Sequence, residues 1–99
     1  MRTKKEEYID KMSQQLKEWS SRIDELESRA AGTAAGMKTN YEARIRELKE
    51  KRDALSRKLR ELGTAGGDAW NSLKTGIEAA GKDLKEAVSA ARDKFKKAA

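Results

Sequence analysis

Apolar residues recur along this chain at helical spacing. Ile9, Met12, Leu16, Trp19, Ile23 and Leu26 step by 3, 4, 3, 4 and 3, a heptad seam that is too regular for a strand and too polar between its members for a fully buried helix. Thr3, followed three residues later by Glu6, makes a capping box that starts the helix. Glu7–Lys11, Glu18–Arg22 and Glu25–Arg29 fall at i,i+4 in the favourable order, each pair contributing a few tenths of a kcal/mol.

From Ala30 to Asn40 small residues dominate, and Gly32 and Gly36 each cost about 1 kcal/mol relative to alanine within a helix. Thr39 with Glu42 offers a second capping box, so a break is possible here. The apolar face nevertheless continues through Leu26, Ala30, Ala34, Met37, Tyr41, Ile45 and Leu48 in steps of 4, 4, 3, 4, 4 and 3, an eleven-residue rhythm that relaxes the supercoil without changing face. Continuity of face favours one helix over residues 3–62, with residues 3–30 as an N-terminal arm. The seam then returns to heptads through Arg52, Leu55, Leu59 and Leu62. Residues 63–67 read as a glycine-rich turn in which Gly63 follows the helix end. Asp68 reads as the N-cap of a second helix over 68–97 that carries Trp70, Leu73, Ile77, Ala80, Leu84, Ala87 or Val88, Ala91 and Phe95.

The seams on either side of the turn mirror each other. Taken outward from it, 62, 59, 55, 52, 48, 45, 41 and 37 match 70, 73, 77, 80, 84, 87, 91 and 95, and every opposed pair sums to 132 when Ala87 is chosen over Val88. An antiparallel coiled-coil hairpin needs such level layers. The pairing sets Leu62 against Trp70, Leu59 against Leu73, Leu55 against Ile77, Leu48 against Leu84, Tyr41 against Ala91 and Met37 against Phe95. Arg52 opposite Ala80 is the one polar layer, and its guanidinium can extend outward to water.

The expected fold is therefore all-α: a long helix plus a shorter antiparallel helix in a coiled-coil hairpin. The arm seam is left to form a homo-oligomer, because a bare amphipathic arm gains too little to offset the cost of ordering it. The arm's spacing is itself palindromic, with Ile9–Leu26, Met12–Ile23 and Leu16–Trp19 each summing to 35, which suits an antiparallel dimer; parallel bundles and tetramers stay open, since a heptad alone does not fix strand order. The alternative breaks the chain near Gly36 and folds the arm back as a monomeric three-helix bundle.

Composition fits long, solvated helices: 40% of residues are charged, 36% are apolar, and there is no proline. The chain also lacks cysteine and histidine. That removes disulfides, thiolate nucleophiles, zinc–thiolate sites, the usual general base and the commonest transition-metal ligand. The carboxylates are scattered among lysines and arginines, so the expectation is no enzyme, no cofactor, no metal and no small-molecule substrate. No apolar run approaches the ~20 residues of a membrane span, and the N-terminal residues lack the apolar core of a signal peptide. The simplest expected address is the cytoplasm.

Net charge is +6, which raises the question of acidic partners. Between Arg44 and Arg60 eight basic side chains stand against three acidic ones. Arg44, Arg46, Lys49, Lys51, Arg57, Lys58 and Arg60 are the candidate contacts for nucleic acid or another polyanion. The alternative is a solvated face with local pairs such as Glu47–Lys51 and Asp53–Arg57. The last helix carries Lys74, Lys82, Lys85, Lys94, Lys96 and Lys97 beside one apolar face, a pattern shared with helices that lie on anionic membranes. The same apolar residues serve equally as the hairpin seam.

The stretch from Tyr41 to Leu55 (YEARIRELKEKRDAL), the turn Gly66-Gly67-Asp68-Ala69-Trp70, and the spaced Leu73-Lys74, Leu84-Lys85 and Phe95 resemble small bacterial coiled-coil proteins labelled as stress-response proteins. The resemblance covers most of the chain, and the Gly-Gly-Asp-Ala-Trp turn is its most specific part. It implies a stress-linked helical protein and carries no catalytic residues over to this sequence. In such relatives the small-residue middle reads as continuous helix, and Gly32 and Gly36 depart from that pattern.

Overall fold

The computed structural model describes residues 3–32 and 35–98; the side chains of residues 35, 37, 97 and 98 lie outside the described set. The fold is all-α. Three helices, α1 (Lys4–Ala31), α2 (Ala35–Thr64) and α3 (Trp70–Ala98), pack together, with a 3-10 turn over Gly67–Ala69 leading into α3. No strand occurs among the described residues. The molecule measures 51 × 22 × 17 Å, well short of the roughly 90 Å that one 60-residue helix would span.

α1 begins as the capping box predicts. Thr3 is the N-cap, and its Oγ1 accepts from the Glu6 amide at 3.1 Å. The helix expected over 3–62 is instead two helices. α1 ends at Ala31, where the Gly32 amide donates to the Arg29 carbonyl at 3.1 Å, the tightened last bond common at helix ends. The physical reason is burial. The two glycines make an interruption inexpensive, and the arm gains by covering its seam: Met12, Trp19, Ile23, Leu26 and Ala30 are buried in the core shared with α2 and α3, each larger side chain gaining ~1.5–3 kcal/mol. Thr39 lies inside α2, so the break falls before the second capping box.

The turn between α2 and α3 also differs in detail. Gly63 is inside α2, which runs to Thr64, and no described glycine has positive φ, so no left-handed cap ends this helix. Asp68 sits in the 3-10 turn rather than capping α3; the turn's own N-cap is Gly66. The Lys5 ammonium donates to the Ala65 carbonyl at 2.9 Å, tying the first turn of α1 to this corner.

On α2, Tyr41, Ile45, Leu48, Leu55, Leu59 and Leu62 are buried. On α3, Ile77, Leu84, Ala91 and Phe95 are buried, and Trp70 and Leu73 pack against the core half-buried. Val88 is buried in the core, and Ala87 packs against it half-buried. Across the α2–α3 interface Lys51 bonds Asp83 and Tyr41 stacks on Phe95. The Met37 side chain, expected opposite Phe95, lies outside the described residues.

Candidate functional site

Two surfaces carry the charge chemistry. The first is the basic stretch of α2, and the structure divides its seven predicted contacts into three groups. Lys49 and Lys51 are bound within the chain. Lys49 pairs with Glu27 of α1, and Lys51 donates to Asp83 of α3 at 2.6 Å, a bond that raises the lysine pKa, opposed by partial desolvation and aided by the charges of Asp83 and Glu47. Arg44 lines a groove of about 530 Å³ between α2 and α3, together with Asn40, Glu47, Lys94 and the stacked rings of Tyr41 and Phe95. Arg46, Arg57, Lys58 and Arg60 are exposed. α2 thus uses Lys49 and Lys51 to hold its neighbours and leaves Arg46, Arg57, Lys58 and Arg60 facing solvent.

Local i,i+4 pairs form only in part. Glu18–Arg22 closes at 2.9 Å, whereas Asp53 meets Arg52 at 3.2 Å and Lys51 takes Asp83 in preference to Glu47. Arg52, the predicted polar layer, keeps its side chain 25% exposed, consistent with an aliphatic stem over the core and a solvated head. The reach between helices was not readable from α2 alone, since Glu27 and Asp83 sit on elements whose register only packing fixes.

The second surface is the groove between α1 and α3. It comprises three adjoining hollows of about 380, 270 and 260 Å³. Trp19 belongs to two of them and joins the first to the second; Arg22 and Val88 join the second to the third. Its position depends on Gly81. A Cβ placed there would stand 3.3 Å from Met12 Cε and 3.5 Å from Trp19 Cη2, so the missing side chain lets α1 approach α3 at this level. Sequence spacing did not single out Gly81 as a packing position; only the register of α1 against α3 gives it that role.

The six arm residues are spread over this architecture. Met12, Trp19, Ile23 and Leu26 are buried, and Ile9 and Leu16 are half-buried against the same core. At the opposite end from the α1–α2 join, Tyr8 meets Trp70 edge to face with centroids 5.4 Å apart. The Lys74 ammonium lies 5.4 Å from the Tyr8 centroid and 5.7 Å from that of Trp70, within cation–π range. Burial of the phenol, and then the charge of Glu78, raise the Tyr8 pKa.

Among the described residues no group of three or more acidic side chains is placed to hold a metal, and no helix is long and apolar enough to cross a membrane. No protein family matches the chain, and no curated protein or solved structure is similar to it.

Proposed function

We propose that this is a non-enzymatic helical interaction protein that assembles with further copies of itself by exchanging α1. The closed chain is then a three-helix bundle. In the exchanged form α1 and α2 run on as one helix, and the arm seam docks on α2 and α3 of a second chain. The observation that carries this reading is that Met12, Trp19, Ile23 and Leu26 are buried by packing within their own chain. A second copy offers the same surface, so exchange conserves every contact apart from those at the join. That join is short, residues 32–34 between Ala31 and Ala35, it contains no proline, and the apolar face continues across it in the sequence. Short joins of this kind favour domain swapping. A role in stress response rests on the resemblance of the Gly-Gly-Asp-Ala-Trp turn and its flanking helices.

The Lys49–Glu27 pair between α1 and α2 supplies the test. Isotopically light and heavy chains are mixed, incubated and coupled with a zero-length carbodiimide cross-linker. Exchange yields Lys49–Glu27 cross-links of mixed isotope and a dimer peak by light scattering. Cross-links confined to single chains at millimolar protein would sink the proposal.

A second reading, binding of a membrane surface or nucleic acid through the basic faces, draws on Arg46, Arg57, Lys58 and Arg60. These are exposed and take part in no ion pair among the described residues. Binding of this kind weakens steeply with salt, and a titration of duplex DNA and of anionic vesicles at two salt concentrations tests it.

A further inference from the structure

The hold on α1 is uneven along its length. Trp19, Ile23, Leu26 and Ala30 are buried in its second half, whereas Met12 is the one buried side chain from Lys4 to Leu16. Tyr8, Ile9 and Leu16 pack against the core only half-buried. The first half is fastened instead at the corner between α2 and α3. There the Lys5 ammonium donates to the Ala65 carbonyl at 2.9 Å. That carbonyl lies one residue beyond the end of α2, where backbone acceptors lose their helical partners and the helix dipole is negative. The last turn of α2 has no basic side chain, and no described glycine is left-handed, so a lysine of α1 caps it. Three residues on, Tyr8 meets Trp70 edge to face, with the Lys74 ammonium near both rings. This contact also carries a cost. The Tyr8 hydroxyl is covered and has no hydrogen-bond partner among the described residues, a penalty that water removes once the ring is uncovered.

We propose that residues 4–16 of α1 form a latch that opens as a unit while residues 17–31 stay packed, with the Lys5 ammonium holding it shut and the unpaired Tyr8 hydroxyl favouring release. The two groups act in opposite directions. Opening takes Lys5 from the end of α2 and so breaks a hydrogen bond made by a charged donor, which opposes it. Opening also hydrates the Tyr8 phenol, which promotes it. Burial sets where opening stops. The next core side chains, Trp19 and Ile23, are 9% and 0% exposed, and uncovering them costs more than uncovering the half-buried residues before them. The latch does not require exchange of α1. Where α1 is exchanged, a consequence that rests on the reading proposed above, this is the end that leaves first.

The experiment is native-state hydrogen exchange on the full chain at micromolar concentration, read by mass spectrometry. Amides of residues 8–16 are expected to exchange faster than those of residues 20–30. Lys5→Gln removes the charge at little change in helix propensity. It should speed exchange at 8–16 by about tenfold and leave residues 77–91 of α3 unchanged. Lys4→Gln takes the same charge from an exposed neighbour and should leave both regions at the native rate. Tyr8→Phe should slow exchange at 8–16 by about fivefold or more. Uniform rates along α1, equal effects of Lys4→Gln and Lys5→Gln, or a rise at 77–91 matching that at 8–16 would each overturn the latch. So would faster or unaltered exchange in Tyr8→Phe, since either outcome means that the hydroxyl does not favour opening. These rates are read within single chains, so the latch stands or falls by them whether or not Lys49–Glu27 cross-links of mixed isotope form.

Discussion

Tyr41 and Phe95 stack at the end of the molecule where α1 turns into α2, their ring centroids 4.1 Å apart and their planes inclined by 31°. The contact buries both rings, but the Tyr41 hydroxyl is covered and has no hydrogen-bond partner among the described residues. A buried polar group left unpaired costs ~1–3 kcal/mol. Tyr41→Phe is therefore expected to stabilise the fold by about 1 kcal/mol, seen as a higher urea midpoint at unchanged slope. A lower midpoint would show that the hydroxyl is bonded. Phe95→Ala removes the other ring and should cost about 3 kcal/mol.

The same pair shows how far the sequence reaches. Periodicity placed Tyr41 and Phe95 on their seams, because burial on a helix depends on spacing that one strand of sequence contains. It did not make them partners, because register between helices depends on how side chains interlock. There Val88 takes the buried position and Ala87 packs half-buried beside it, since a larger apolar side chain gains more by burial. The break after Ala31 was readable as a possibility in Gly32 and Gly36, yet continuity of face pointed the other way. What decided it was tertiary: four large arm side chains with somewhere in their own chain to go. The ion pairs Lys51–Asp83 and Lys49–Glu27 were hidden for a similar reason. Each lysine had a sequence-local carboxylate within reach and took a distant one that packing brought closer.

Lys51 and Tyr8 together predict how stability responds to alkaline pH. The hydrogen bond to Asp83 raises the Lys51 pKa above its usual 10.5, and burial raises that of Tyr8 above 10.0. In both cases the folded state holds its proton more tightly than the unfolded chain. The resulting stability is fully present below the unfolded values and is lost as pH rises through the folded ones. The thermal midpoint should thus fall from about pH 10 upward. Lys51→Gln with Tyr8→Phe should flatten that fall relative to the native chain. An unchanged slope between pH 9 and 11 would show that neither group is linked to folding.

Glycines inside helices separate two kinds of position. A Cβ at Gly36 or Gly63 meets nothing within 4 Å, and both residues are helical. Gly36→Ala and Gly63→Ala are each expected to stabilise by ~0.5–1 kcal/mol through helix propensity alone. At Gly81 the same gain is opposed by Met12 Cε at 3.3 Å and Trp19 at 3.5 Å. Gly81→Ala should consequently stabilise less than the other two, and Gly81→Ile should destabilise by ~1–3 kcal/mol through overpacking. Equal gains at all three positions in chemical denaturation would mean that α1 does not press on α3 at this level.

The arm is where the two arrangements of this chain part most sharply. If α1 paired only with other molecules, Leu16→Ala with Trp19→Ala would dissociate an oligomer and leave a helical hairpin behind. With Trp19 buried and Leu16 half-buried in the core of their own chain, the same double variant strikes the monomer. Removing the tryptophan side chain alone costs ~3–5 kcal/mol, a large part of the ~5–15 kcal/mol that holds a typical domain together. The expected outcome is a loss of cooperative unfolding and a drop in helix content at every protein concentration, measured by circular dichroism and light scattering on the same samples. α1 exchange predicts the same loss, because the incoming helix makes the contacts that the outgoing one gave up. A variant that keeps its helix content while its mass halves would instead place the arm seam between molecules and leave α2 and α3 folded without it.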